Sequence, residues 1–271
     1  MDDAFESFTP LRKAIKRVLI DPLANYLPAS LWRWVLATAK SELAAANWTE
    51  PGGWRSMVIS YDGRPHQWAD KVLVGSGAVS MALRNRLRLA SRLLGELIDS
   101  LPAPVHLLCL GAGPGLITVR ALAAASTPCD ATLVDLNPEG FEFGRELARR
   151  HGLEDRMRFI QGDVRDVGRM LEHRPSLVKM IGICEYLTDE QIVGIASAVA
   201  QVMPPVAPIV FNNITRRHGN DRFLRRVFGL HMVYRSVKHM TDLMRQAGFG
   251  EFHVHQEPLG VYSVIVGRRT S

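Results

Sequence analysis

Three glycines, Gly111, Gly113 and Gly115, follow directly on an apolar run, Val105 to Leu110, and precede a helix-forming run from Ile117 to Ala125. Strand, glycine turn and helix, in that order, bring backbone against a nucleotide in α/β proteins. Lacking a Cβ, these residues can take positive φ and let a ligand touch main chain. Two acids follow at matching places. Asp135 ends the next predicted strand, 24 residues after Gly111, where a carboxylate can accept hydrogen bonds from both hydroxyls of an adenosine ribose. Gln161-Gly162-Asp163-Val164 ends the third strand. There Asp163 could hold an adenine amino group while Val164 packs on the ring. Ligands of open α/β sheets bind at the carboxyl ends of strands. The three features together therefore call for an adenosine-type ligand.

The elements that must position these residues alternate regularly from residue 103. Strands are expected at 105–110, 131–135, 157–160, 177–183 and 206–211, joined by helices at 114–126, 138–151, near 165–173 and at 189–203, the last with Thr188 as N-cap. Such alternation implies right-handed crossovers and a parallel sheet. A helix from 236 to 247 should end at Gly248. Two closely spaced strands, 251–256 and 261–267, then suggest a hairpin that makes one sheet edge antiparallel.

Upstream, residues 1–102 read as a mainly helical cap or lid, and 103–271 as the α/β domain. Leu11, Ile15, Val18 and Leu19 share one helical face. A second helix, 30–47, carries Trp32 and Trp34, with Ser30 as its N-cap. This basic, tryptophan-bearing region is expected to pack on the main domain rather than to lie on a membrane surface. Residues 54–64 alternate Met57, Ile59 and Tyr61 and read as a short extended segment ending in an Asp-Gly turn. A helix from 68 to 100, broken near Gly75-Ser76-Gly77, has Arg84, Arg86, Arg88 and Arg92 on what reads as a solvated face.

Composition narrows the class. The chain has 271 residues, 47% of them hydrophobic, and a net charge of +6, enough for one large α/β domain with an appended cap. No apolar run approaches the ~18 residues of a membrane-spanning helix. The opening Met1-Asp2-Asp3 is acidic where a secretory signal would be basic and apolar. Cys109, Cys129 and Cys184 have no CxxC spacing and cannot all pair, which fits a reducing cytoplasm. The basic charges are spread over several helices with no zinc pattern, so nucleic acid is not an expected partner. His253 and His255 lack a third ligand, and no metal site is expected.

A dinucleotide turn reads GxGxxG or GxGxxA, yet Leu116 occupies the third small position. The pattern here is GxGxG. With the C-terminal hairpin, it resembles the class I S-adenosylmethionine-dependent methyltransferases over about residues 103–268. Tyr61-Asp-Gly-Arg64, Ala82 to Arg86, Cys184 to Leu187 and Met240 to Phe249 are similar to a poorly characterised putative-methyltransferase group, some members of which are fused to hydrolase domains. The resemblance implies a Rossmann-like fold and S-adenosylmethionine as cofactor. It implies that the glycine turn (Gly111, Ala112, Gly113, Gly115) cradles the amino-acid end and that Asp135 and Leu136 meet the ribose. Gly162, Asp163 and Val164 would face adenine, and Cys184 and Glu185 would lie nearby. Two departures stand out. Many relatives carry an acid where this chain has Cys109, so the contact it makes must come from elsewhere, Glu185 or the cap being candidates. Cys184-Glu185-Tyr186 replaces the Asn/Asp-Pro-Pro-Tyr motif of base and amide N-methylation.

Methyl transfer from a sulfonium is an in-line displacement that leans on positioning and desolvation. Tyr186 is the leading wall residue, since an aromatic face favours a cationic sulfonium. Asn212 could orient a polar substrate group, and Tyr61, His231 and Tyr234 could belong to a lid. The expected activity is methyl transfer to a small molecule in a cytoplasmic biosynthetic reaction, with no membrane partner. Three alternatives remain open. One is a cyclase or lyase that makes azetidine-2-carboxylate or a lactone, with methylthioadenosine, from the sulfonium substrate itself. Another is a non-catalytic cofactor-binding module. The third, a nicotinamide dehydrogenase, is disfavoured by Leu116. The basic run 216–226 could contact a carboxylate, a phosphate or an acidic carrier domain; a solvated helix is the preferred reading.

Overall fold

The computed structural model describes residues 4–270. The opening Met1-Asp2-Asp3 lies outside the described residues. Seven strands form one sheet: β1 (Val105–Leu110), β2 (Cys129–Asp135), β3 (Met157–Gln161), β4 (Leu177–Met180), β5 (Pro208–Ile214), β6 (Phe249–Gln256) and β7 (Tyr262–Arg269). Their order is β3-β2-β1-β4-β5-β7-β6. The first five pair in parallel, with Leu107 opposite Ala131 and Ala131 opposite Met157. Backbone bonds from Val206 to Arg269 and from Thr215 to Val261 run β7 antiparallel to β5, and those from Glu257 to Tyr262 and Thr270 to Gly248 do the same for β6 and β7. The expected hairpin edge is present.

The chain forms two compact units. The second comprises Arg88–Ile214, Val233–His255 and the residues from Ser263 onward. On one face of its sheet, Leu108, Leu110, Val178, Met180, Ile209 and Phe211 pack with Ile192, Ile195, Val199, Leu243 and Met244 of helices Asp189–Val202 and Val237–Gln246. On the other face, Cys109 Sγ meets Thr118 Oγ1 of helix Leu116–Ala124 at 3.1 Å. Buried parallel strands are apolar on both faces, which is why they read as continuous hydrophobic runs. Thr188 starts its helix in a full capping box with Gln191, and Gly248 follows helix Val237–Gln246 at φ +90°. The segment expected as a helix near 165–173 is a 3-10 helix, Val164–Arg169.

The first unit joins the amino-terminal segment up to Leu87 with Thr215–Met232 and Gln256–Tyr262. The division therefore differs from the one expected at residue 103. Helix Ala78–Ser100 runs unbroken through Leu87, and in its second half Ser91 Oγ donates to the Ile117 carbonyl of the α/β unit. In turn, 215–232 fastens to the amino-terminal helices. Asn25 donates to the Gly219 carbonyl at 2.7 Å, Trp48 Nε1 to Val227 at 2.8 Å and Arg226 to Asn25 at 2.9 Å.

Four local expectations are corrected in this unit. Residues 54–64 are not extended. Trp54–Asp62 is a helix that buries Ser56, Ser60 and Tyr61, and Gly63 closes it at φ +67°. The Asp-Gly pair is a helix stop, and the buried set is spaced by four and one rather than by two. Helix 30–47 is two helices, Ala29–Thr38 and Glu42–Thr49, broken where Lys40 takes φ +51° and Ser41 caps the second; Ser30 lies inside the first rather than capping it. Arg84 and Arg86 are not solvated but 6% and 2% exposed. Lastly, the Leu11, Ile15, Val18 and Leu19 face is helical but exposed rather than buried, with Val18 77% exposed.

Candidate functional site

At the carboxyl end of β1 the chain takes three left-handed turns in five residues: Gly111 at φ +59°, Gly113 at +51° and Gly115 at +76°. A Cβ at any of them would be strained. Packing adds a second reason. A Cβ on Gly111 would lie 2.8 Å from Ile183 Cδ1, and one on Gly115 2.5 Å from Leu133 Cδ2. The turn is thus drawn tightly onto the strand ends beside it. Ala112 N–H donates to the Val134 carbonyl at 3.2 Å, and Gly162 N–H donates to Asp135 O at 3.0 Å. Three strand ends form one hydrogen-bonded rim.

Asp135 organises that rim. Its Oδ2 accepts the Gly113 N–H at 2.7 Å and its Oδ1 accepts the Asn137 N–H at 3.0 Å. Each carboxylate oxygen has two acceptor positions, so each retains one for a ligand hydroxyl. Leu136 beside it is 68% exposed, leaving an apolar side chain at the mouth of the site.

Asp163 is engaged differently. It caps helix Val164–Arg169 by accepting the Arg165 N–H at 2.9 Å, and the Arg165 guanidinium spans both carboxylate oxygens. The Arg165 hydrogen bonds hold its carboxyl well below the usual range, at about 2. Val164, expected to face a ring, is 8% exposed and joins the core cluster. A Cβ on Gly162 would meet only the flexible end of Met170, with Cε at 2.5 Å, a contact that side chain can relieve by shifting.

The β4 end is held by buried polar groups. Asn212 is fully buried; its Oδ1 accepts the Gly182 N–H at 2.8 Å and its Nδ2 donates to Glu185 Oε2 at 3.4 Å. Asn212 therefore shapes the loop rather than presenting an amide to a ligand. Cys184 and Glu185 are 2% and 4% exposed, and burial pushes the Cys184 thiol up to about 12. Tyr186 is 40% exposed just beyond them. Sequence reasoning missed Arg235, the residue that fixes this loop. Its guanidinium donates to the carbonyls of Cys184 at 2.8 Å and Leu187 at 2.6 Å and to Asp189 Oδ1 at 2.7 Å. The only local signal is a lone arginine between Tyr234 and Ser236.

The lid candidates separate. Tyr234 belongs to the α/β unit and is half-buried, whereas Tyr61 and His231 belong to the first unit. Tyr61 is buried and its hydroxyl accepts from Arg86 at 2.9 Å; His231 is exposed. Cys109 is fully buried against Thr118, and burial raises its thiol pKa. In place of an acid the chain has a core packing residue. The basic run is mixed: Arg216, Arg217 and Arg222 are exposed, whereas Arg225 pairs with Asp221 at 3.0 Å and Arg226 donates to the Asn25 carbonyl.

The profile of the family described as "Putative methyltransferase" matches residues 81–269. The chain belongs to that family. Among curated proteins it is 25% identical over 175 residues to the uncharacterised protein YnbC of Escherichia coli K12, covering 61% of this chain. The chain spans only 30% of that relative's length. Among solved structures, it is similar to N,N-8-amino-8-demethyl-D-riboflavin dimethyltransferase (RosA) from Streptomyces davawensis, with a TM-score of 0.56 and 20% identity over 83% of this chain and 71% of that one. It is also similar to magnesium protoporphyrin IX methyltransferase (ChlM) from Synechocystis PCC 6803 with bound SAH, with a TM-score of 0.58 and 12% identity over 95% of this chain and 99% of that one. These likenesses establish the Rossmann-like methyltransferase fold for this family member. No helix among the described residues is long and apolar enough to cross a membrane.

Proposed function

We propose that this chain binds S-adenosylmethionine at the β1–β2 rim and transfers its methyl group to a small molecule. The observation that carries the reading is Asp135, locked by Gly113 and Asn137 N–H groups with one acceptor position left on each oxygen. Two vicinal ribose hydroxyls match that pair. Family membership supports the reaction class, as do the named activities of the two methyltransferase neighbours and the SAH bound to one of them.

Bound S-adenosylmethionine supplies an electrophilic methyl on a sulfonium for in-line displacement. The chain's own contribution is binding and orientation. The glycine turn offers main chain without side chains, Asp135 fixes the ribose, and Leu136 shields one side. Tyr186, the most exposed group at the β4 end of the site, supplies an aromatic wall that favours the cation over water. Asn212 and Arg235 hold the loop that carries it. The Cys109 departure is accounted for by packing against Thr118, so it lends no support to intramolecular cleavage of the sulfonium.

Calorimetry with S-adenosylmethionine tests the binding step. Asp135→Ala is expected to weaken affinity roughly hundredfold, through loss of two charge-assisted hydrogen bonds. Product analysis tests the chemistry. S-adenosylhomocysteine formed only when a cell extract supplies an acceptor is the expected result. Methylthioadenosine formed from S-adenosylmethionine alone would overturn it in favour of the cyclase or lyase.

A further inference from the structure

Between Pro10 and Tyr26 a helical run in the first unit turns its apolar side outward. Leu11, Val18 and Leu19 are 71%, 77% and 56% exposed. On the opposite side Lys16 donates to Asp21 and to the His218 carbonyl at 2.6 Å, and Asn25 donates to the Gly219 carbonyl. The run is fastened by polar groups and shows its apolar ones, the reverse of an ordinary surface helix. The neighbouring helix Ala29–Thr38 continues the pattern with Trp34, 66% exposed. Of the eighteen exposed large hydrophobic side chains among the described residues, nine lie between Leu11 and Trp34, under a tenth of the chain. Isolated exposed hydrophobics need no explanation, but a contiguous patch does.

Charge identifies the occupant. From Thr9 to Lys40 there are six lysines and arginines and a single acid, Asp21, which Lys16 holds at 2.6 Å. Arg12, Lys13 and Arg17 are exposed on the same turns as Leu11 and Val18. Tyr26, 72% exposed, and Trp34 are residue types that settle at the level of lipid headgroups. A second copy of the chain would bring like charges together across the patch. We propose that this face docks on an anionic phospholipid surface. The apolar side chains enter the boundary between headgroups and acyl chains, while Arg12, Lys13 and Arg17 meet the lipid phosphates. No described helix can cross a bilayer, so the contact is with one leaflet. The expectation of no membrane partner assumed that this face packs on the main domain; its exposure removes that ground.

Cosedimentation of the full chain with vesicles tests the proposal independently of any catalytic activity. The expected result is partition onto vesicles of two parts phosphatidylcholine to one part phosphatidylglycerol, weakened by salt, with none onto phosphatidylcholine alone. Val18→Ser/Leu19→Ser is expected to lower the partition coefficient about tenfold, and Arg12→Gln/Lys13→Gln/Arg17→Gln roughly hundredfold. All five positions are exposed, and an unchanged thermal midpoint verifies folding of both variants. Equal binding to uncharged vesicles, no binding at low salt, or binding that survives both sets of substitutions would overturn it. So would a wild-type dimer that Val18→Ser/Leu19→Ser disperses, with no vesicle binding by either protein.

Discussion

The first unit and the rim of the α/β unit use charge in opposite ways. In the first, Arg84 is enclosed by acceptors: Glu6 Oε1 at 2.7 Å, Glu6 Oε2 at 2.6 Å and the carbonyls of Val74 at 2.7 Å and Ser60 at 3.0 Å. Arg86 donates to Tyr61 and stacks over the Tyr262 ring at 4.6 Å. Asp70, fully buried, accepts from Ser41 Oγ at 2.5 Å and Glu42 N–H at 2.7 Å. Arg84 has an acceptor for every guanidinium N–H and forms a closed network, and the likewise buried Arg86 and Asp70 have a structural role. In the α/β unit, Asp135 is only half-buried and each oxygen has a single partner. The contrast separates two meanings of a charged residue: complete satisfaction marks architecture, and residual acceptor capacity at a strand end marks binding.

The largest expected effect tests the architectural half. Arg84→Leu strips donors from the Ser60 and Val74 carbonyls and breaks the ion pair with Glu6, so it should cost about 3–5 kcal/mol of stability. All five tryptophans lie before Leu87, so their fluorescence in a urea titration reports the first unit. The folded fraction should keep its affinity for S-adenosylmethionine. A matching loss of affinity would break the comparison.

A smaller effect of the same kind is expected from acid. His218 is fully buried, with Nδ1 accepting the Asn220 N–H at 3.1 Å. Burial, aided by the Lys16 and Arg216 charges and opposed by Asp221, lowers its pKa from 6.5 to about 4. The unfolded chain therefore holds more protons between those values, and stability falls as pH drops from 6.5 towards 4. The loss should reach no more than about 3 kcal/mol. Tryptophan-detected urea midpoints measured across that range should show the slope in the wild type. His218→Asn, which keeps an acceptor for Asn220, should flatten it; a slope retained in that variant would reassign the acid sensitivity.

Much of this arrangement is legible in the sequence, and the exceptions share a cause. β1 is observed over the residues expected of it, and the order of turn, Asp135 and Asp163 along three strand ends holds, because apolar runs and glycine turns are local signals. Residues that depend on distant partners were misread. Arg84 looks solvated until Glu6, 78 residues away, is brought to it. Arg235 has no local pattern because its three acceptors lie 46 to 51 residues away. Val18 was expected to be buried because periodicity identifies a face without saying what covers it. The extended reading of 54–64 failed because the alternation covered too few residues to exclude a helix stopped by Gly63.

The smallest expected effect sharpens the binding half, since Asp163 stands between the two categories. Its carboxylate is a helix cap and an ion pair with Arg165, exposed enough for solvent to screen it. Asp163→Ala should therefore cost roughly 1 kcal/mol or less in stability at neutral pH. The sign of its pH dependence follows from a pKa lowered from 3.8 to about 2. The stabilisation is present above 3.8 and is lost as pH falls from there towards 2. Hydrogen-exchange protection of the backbone amides in 164–169, compared at about pH 5 and about pH 3, would detect it in the wild type and not in the variant. Because Arg165 already bridges both oxygens, an adenine amino group would have to share them. The affinity loss for S-adenosylmethionine in Asp163→Ala should accordingly be several-fold smaller than in Asp135→Ala. Equal losses would mean that Arg165 releases Asp163 when the ligand binds, and that the acid counted here as a cap is a second ligand-binding carboxylate.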